Sequence, residues 1–302
     1  MPTVLPSPLL DLLGVRPERV RVLKDVPDEN GSWLLELPGG DRLVVRRYHA
    51  DATPEELRYE HEVLRYLASA GWVVPAPVGE PVRWEGWWFC LTGYVPGQAV
   101  LDESLDQQRR RGRDLARLHL ALRGLDERLG QRAGWRAQHQ GVTLQTGMDW
   151  AACVRALTEV SPRLGAWAQA AASRSREALA EVGADELPVM VVHGDFAAWN
   201  VHYHGGRLAG VIDFGLTHLD SRPYELAIAR TWRAPAAREA YRSELARLGW
   251  PLSDLEEAAV QPLYHAFRLD QLAWPLTRGL RTGEFDLAAV ERQLGRTGTG
   301  SP

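Results

Sequence analysis

"HGDFAAWNVHYHGGRLAGVIDFG", residues 193–215, sets two aspartates, one asparagine and three histidines around two short apolar runs joined by Gly205-Gly206. The run "VMVV" leads into His193-Gly194-Asp195, Asn200 follows five positions later, and "AGVI" delivers Asp213-Phe214-Gly215 thirteen positions after the asparagine. An aspartate on a loop, an amide oxygen and a second aspartate just past a strand suit phosphoryl transfer. Magnesium takes hard oxygen ligands and keeps some waters, so one amide and one carboxylate completed by nucleotide phosphates form a sufficient cage. The first aspartate is then left to accept the proton of an attacking hydroxyl. Taken singly, Asp213 is an ordinary turn former and Asn200 an ordinary cap. Taken with Asp195, their spacing points to a site.

The histidines raise a second reading. His202 and His204 put two imidazoles on one strand face, the start of a metallophosphoesterase reading. Such a site needs further His and Asp ligands at separate strand ends, and no DxH, GDxxD or GNHE stretch occurs. His193, ahead of a tight Gly-Asp turn, reads as a brace for its own loop.

The chain around this stretch has 302 residues, 45% hydrophobic and 25% charged, enough for two cores. A formal net charge of −4 argues against a nucleic-acid surface. No apolar run approaches the roughly 18 to 20 residues of a bilayer span, so neither a nucleic-acid nor a membrane partner is expected. The start "MPTVLPSPLLDLLGV" lacks the basic region of a secretory signal, and Cys90 and Cys153 lie in apolar settings without metal-ligand spacing. A reducing cytoplasm is expected, with the protein a monomer or a homodimer. Of 35 basic residues only Lys24 is a lysine, so the other cationic roles fall to arginine.

Residues 1–93 read as a strand-rich lobe and 94–302 as a helical one. "RVRVL", "SWLLELP" and "RLVVRRY" are strands separated by "PDENG" and "PGGD". "TPEELRYEHEVLRYLASAG" is a helix with Thr53 as N-cap, Pro54 at its first position, Gly71 as its stop and Leu57, Val63, Leu64 and Leu67 on its apolar face. "PVRW" and "WWFCLTGYV" form a hairpin about Glu85-Gly86. Beyond residue 98 helical patterns dominate: one over 104–123, two within 149–181, and more in the C-terminal third. The run "RRRGR" at 109–113 reads as a charged helix face. Trp199 and Trp232 are candidates to line an acceptor pocket, with the core the favoured reading for residues of their size.

"HGDFAAWN" followed by "IDFG" resembles the catalytic and metal-binding loops of the protein-kinase-like superfamily, in the His-Gly-Asp form of the aminoglycoside phosphotransferase, choline kinase and homoserine kinase-like families. The strand-rich lobe, a crossing at "LTGYVPG" and the "LARLH" helix (Leu115 to His119) occur in the matching order. The resemblance implies an α+β, protein-kinase-like two-lobe fold: a small antiparallel sheet with one helix, then a large mainly helical lobe, with the nucleotide between them. It implies an ATP- and magnesium-dependent kinase for a small-molecule hydroxyl acceptor, with Asp195 as catalytic base and Asn200 and Asp213 as magnesium ligands. Ala197 stands where protein kinases carry a lysine, which favours a small acceptor.

Side-chain alternation puts Val44 and Arg46 on one strand face, and the resemblance implies Val44 against the adenine and Arg46 toward the phosphates of the nucleotide. Glu60 resembles the helix carboxylate that orients the strand cation, with Glu62 as the alternative. The commoner residue at the Arg46 position is lysine, and "RR" on a strand also reads as a solvated edge. Backbone amides of Asn30, Gly31 and Ser32 are candidates to cradle phosphate, and backbone groups of Thr92 and Tyr94 to meet the adenine edge. Asp220 and Glu225 are open to a helix-bracing or a substrate-facing role. A nucleotide-binding module without transfer activity is the reading from a different class.

Overall fold

The computed structural model describes residues 5–25, 30–101, 104–229 and 234–297. The chain runs through α1 (Ser7–Leu12), β1 (Arg19–Lys24), β2 (Gly31–Glu36), β3 (Arg42–Arg47), α2 (Pro54–Ser69), β4 (Pro77–Trp84), β5 (Trp87–Gly93) and β6 (Gln98–Ala99). It continues through α3 (Leu105–Leu122), α4 (Asp126–Leu129), α5 (Trp150–Val160), α6 (Pro162–Glu181), β7 (Met190–Val192), β8 (Val201–His204), β9 (Arg207–Val211) and β10 (His218–Asp220). The last elements are α7 (Arg222–Ile228), α8 (Pro235–Arg247), α9 (Asp254–Asp270), α10 (Ala273–Thr282) and α11 (Leu287–Gly295). They form two compact units, one of the residues up to Leu101 with Ala198–Gly215, the other of the remainder.

The first unit holds an antiparallel sheet in the order β1-β2-β3-β5-β4. Both faces of its centre are covered, which is why "SWLLE" reads as an unbroken apolar run rather than an alternating one. On one face Trp33, Leu35, Val45, Phe89 and Leu91 pack with Leu5 and Leu9 from around α1. On the other, Leu57 of α2 packs with Tyr48, Ala52 and Cys90. The expectation of one helix beside the sheet is thus corrected to two. A six-residue helix is too short to display a period, so α1 has no signature in the sequence.

Local chemistry fixes the edges of these elements. Thr53 and Glu56 form a reciprocal capping box at the start of α2: the Glu56 amide donates to Thr53 Oγ1 at 3.2 Å, and the Thr53 amide donates to Glu56 Oε2 at 3.0 Å. Glu85 and Gly86 both take positive φ, 47° and 86°, as a two-residue hairpin turn requires.

The hairpin β8–β9, which the sequence places amid helical patterns, packs with the first unit instead. It pairs with β6, and the Val211 amide donates to the Val73 carbonyl at 3.0 Å.

In the second unit Cys153, Leu157, Leu164, Trp167, Ala168, Leu272, Leu276 and Val290 join α5, α6, α10 and α11 in one core. Helices α3 and α8 cross closely at Gly112, where a Cβ would stand 2.1 Å from the Ala237 carbonyl oxygen. Arg111 is buried beside it. The run 109–113 is therefore not simply a solvated face, because the helix turns its middle inward. Among the described residues no helix is long and apolar enough to cross a membrane.

Gly112→Ala tests this crossing with opposed effects. Alanine's helix propensity favours the variant by at most about 1 kcal/mol, while forcing a methyl against a carbonyl costs about 1–3 kcal/mol. The variant is expected to unfold at lower urea concentration than the parent; an unchanged or higher midpoint contradicts the tight crossing.

Candidate active site

Arg46 is the organising cation of the first unit. It lies on β3 opposite Ser32 on one side and Cys90 on the other, on the same sheet face as Val44. Its Nη1 donates to Glu60 Oε1 at 2.8 Å and its Nη2 to Asp213 Oδ1 at 3.3 Å. Burial works against the charge, but Glu60, Tyr48 and Asp213 outweigh it and hold the guanidinium above its ordinary value. Glu60 is 2% exposed, whereas the alternative, Glu62, faces solvent. Helical spacing explains the choice: Leu57, Glu60, His61 and Leu64 form the buried stripe of α2.

Asp213 and Asn200 reach this unit on the two ends of the hairpin. The Ile212 amide donates to the Asn200 carbonyl at 2.9 Å, closing the hairpin beside the asparagine, whose side chain is buried. Asp213 has φ 64°, in the left-handed region, and its side chain is 54% exposed. Gly215 clears space for the cation: a Cβ there would come within 2.8 Å of Arg46 Nη2. An amide oxygen and an accessible carboxylate are hard donors that fit magnesium.

The other nucleotide candidates are placed less uniformly. Gly31 and Ser32 are strand residues opposite Arg47 and Arg46, rather than turn residues, and Asn30 Oδ1 accepts the His49 amide at 2.8 Å. Gly31 is required by close packing, since a Cβ would stand 2.7 Å from the Trp33 ring. Thr92 lies within the ladder opposite Val44 and Pro77, and its hydroxyl donates to the Val44 carbonyl. Tyr94 lies just past β5 with its ring 4.0 Å from the Arg42 guanidinium carbon.

In the second unit Asp195 is half-buried on a loop held from beneath. The backbone amides of His193 and Gly194 donate to Glu225 Oε2 and Oε1, each at 2.8 Å, and the Asp195 amide donates to His193 Nδ1 at 3.1 Å. Gly194 takes φ 84°, and a Cβ there would strike the Leu216 carbonyl at 2.1 Å. His119 Nε2 lies 3.1 Å from Glu225 Oε2 and His119 Nδ1 lies 2.7 Å from the Tyr241 hydroxyl. A proton on Nε2 satisfies both contacts, the imidazole donating to Glu225 and accepting from Tyr241. Glu225 is fully buried; burial raises its pKa, but the hydrogen bond from His119 and the loop contacts prevail and hold it below 4.5.

Asp220 is a brace as well. It is fully buried and accepts the amides of Gln138 and Ser221, each at 2.7 Å. The sequence left both acids open between bracing and facing substrate, and only their partners decide it. Trp199 is 50% exposed, contrary to the core role expected from its size, and Trp232 falls outside the described residues. His202 Nδ1 lies 3.3 Å from the Pro96 carbonyl and His204 is exposed. Among the described residues no group of three or more His, Cys, Asp or Glu side chains is arranged to hold a metal ion.

An antiparallel sheet whose strand cation meets a helix carboxylate, and a helical unit that clamps a His-Gly-Asp loop, accompany a protein-kinase-like fold of phosphotransferase class. The chain belongs to the APH family, the phosphotransferase enzyme family, by a match over residues 25–263. Homoserine kinase of Phenylobacterium zucineum (strain HLK1) is 28% identical over 253 residues, covering 80% of this chain and 74% of that protein. Homoserine kinase of Gluconobacter oxydans (strain 621H) is 29% identical over 262 residues, 78% of this chain and 75% of that one. Among solved structures, amicoumacin kinase hAmiN in complex with AMP-PNP, Ca2+ and Ami aligns with TM-score 0.67 and 18% identity, over 94% of this chain and 89% of that chain. The GDP complex of aminoglycoside 2'-phosphotransferase-IIIa aligns with TM-score 0.65 and 19% identity, over 96% and 95%. The expected α+β, kinase-like fold is therefore the observed one.

Glu225→Gln keeps the volume of the clamp but turns an amide NH2 toward a loop N–H, leaving a buried donor unmet at about 1–3 kcal/mol. Because the folded pKa of Glu225 is depressed, its ionised form contributes fully above about pH 4.5 and the contribution is lost as pH falls through the lower folded value. Urea unfolding of parent and variant should differ by a constant amount from pH 7 to about 4.5 and converge below it.

Proposed function

We propose that the chain transfers the γ-phosphoryl group of ATP, with magnesium, to the hydroxyl of a small amino-bearing alcohol, with homoserine the first acceptor to test. The observation that carries the reading is Arg46 meeting both the helix carboxylate Glu60 and Asp213, the aspartate that follows β9. In this reading Arg46, held by Glu60, binds the nucleotide phosphates, and Val44 forms part of the adenine wall with Tyr94. Asn200 and Asp213 hold magnesium, which when bound neutralises charge on the phosphate oxygens. Asp195, fixed through the clamped amides of its loop, orients the acceptor hydroxyl and takes its proton as the new O–P bond forms.

Homoserine is placed first because homoserine kinase is the name carried by relatives at 28% and 29% identity. An aminoglycoside or a simple amino alcohol is the alternative acceptor. The two cysteines, both buried and unpaired, suit a reducing cytoplasm.

The test is ADP release from Mg-ATP with homoserine, ethanolamine, choline, methylthioribose and a panel of aminoglycosides. Turnover with at least one acceptor is expected, fastest with homoserine. Asp195→Asn should lower kcat about 10²- to 10⁴-fold while the nucleotide Kd stays within about twofold. Nucleotide binding without turnover on any alcohol would instead support a binding module, and the loss of both would remove the reading of this site.

A further inference from the structure

Tyr48 follows β3 on the same side-chain alternation as Val44 and Arg46, and its ring forms part of the floor under the cation. The Arg46 guanidinium carbon stands over it, 4.9 Å from the ring centre. Tyr48 is 4% exposed, its amide donates to the Trp88 carbonyl at 2.9 Å, and its hydroxyl is 3.0 Å from His61 Nε2. Cys90, cross-strand from Arg46, brings Sγ within 3.5 Å of the same nitrogen. The α2 turn that supplies Glu60 to the edge of the guanidinium therefore supplies His61, its next residue, to the ring beneath it.

This support answers a requirement specific to arginine. An ammonium is a point charge that one carboxylate can place, whereas a guanidinium is a planar fork whose usefulness depends on its plane. Glu60 and Asp213 meet two of its nitrogens, and a flat, electron-rich face lies beneath its carbon. The floor is also uncharged. Burial holds the Tyr48 phenol well above its ordinary pKa, and burial, with Arg65 and Arg46, brings His61 down to about 4. No second cation competes from within this pair near neutral pH.

We propose that Tyr48, held by His61, is a positioning residue that sets the plane of the Arg46 guanidinium toward the nucleotide phosphates. The proposal rests on the phosphotransferase reading above and adds to it a residue that touches neither nucleotide nor acceptor. Its signature is coupling: Tyr48 matters to nucleotide binding through Arg46 and not otherwise.

The experiment is calorimetric titration of the full chain with Mg-ATP, for the wild type, Tyr48→Phe, Tyr48→Leu, Arg46→Lys and the Arg46→Lys/Tyr48→Leu pair, with thermal unfolding of each protein before titration. Tyr48→Phe keeps the face and should bind within about twofold of wild type, while Tyr48→Leu should weaken binding by about three- to thirtyfold. In the Arg46→Lys background the same Tyr48→Leu change should cost no more than about twofold, because the plane to be held is gone. Equal effects of Tyr48→Leu in both backgrounds, or Tyr48→Phe as damaging as Tyr48→Leu, would overturn the proposal. Should Tyr48→Leu fail to fold, Tyr48→Met, closer in length, takes its place in the same cycle with the same expected outcomes. Wild-type protein that binds no Mg-ATP overturns the phosphotransferase reading and this proposal together. Wild-type binding with additive variants overturns this proposal alone.

Discussion

The hydrogen bonds between Glu225 and the two amides ahead of Asp195 tie α7 to the loop after β7, and the geometry of the Asp195 loop in the helical unit depends on them. A carboxylate with no exposure is tolerated only when its lone pairs are met, and here two loop N–H groups and the His119 imidazole meet them. The chain of contacts runs from Tyr241 on α8 through His119 on α3 and Glu225 on α7 to the loop after β7. Gly194 closes off the alternatives, because its left-handed φ and its contact with the Leu216 carbonyl leave no space for a side chain. Asp195 is thus positioned by three helices as well as by the geometry of its own loop.

Burial sorts the acids of the two units into two kinds. Glu60, Glu225, Asp220 and Glu256 are nearly or fully inaccessible, and each is met by donors fixed in space. Glu256, for instance, receives two nitrogens of Arg222 at 2.8 and 2.7 Å, beneath the stacked ring of Trp250. Asp213 is different: more than half exposed and held at positive φ, a conformation that non-glycine residues adopt at a cost. Accessibility and positive φ coincide on the residue proposed to bind metal, while the inaccessible acids do the bracing. A mutation that neutralises a buried acid should therefore register first in stability, and one at Asp213 first in function.

The elements that carry a strong local signal were legible. The capped helix α2 announces itself by Thr53 and Pro54, the Glu85-Gly86 hairpin by its turn pair, and Arg46 with Glu60 by resemblance to the strand cation and helix carboxylate of the kinase-like families. What was not legible depends on contacts between residues far apart in sequence. Asp220 and Glu225 look alike as acids shortly after Asp213, and only the amides they receive from residues 138, 193 and 194 reveal them as braces. Helix α1 is too short for a period, Gly112 looks like a fault in a charged helix until Ala237 lies against it, and the β8–β9 hairpin gives no sign that it packs with Val73. Gly31 carries a constraint the sequence did not show: beside Asn30 it reads as a phosphate turn, and its lack of a side chain also makes room for the ring of Trp33.

A nearly lysine-free composition has a structural consequence at Arg46. A guanidinium presents five N–H donors in one plane, so meeting Glu60 with one nitrogen and Asp213 with another does not exhaust it. An ammonium, with three donors on a single atom, cannot span two carboxylates set apart on a helix and a hairpin while keeping the same reach. Arginine therefore links α2, β3 and the segment after β9 through one side chain, and the geometry of that link depends on the orientation of a plane as well as the position of a charge. Gly215 belongs to the same solution, because a Cβ there would stand 2.8 Å from Arg46 Nη2 and crowd the head group.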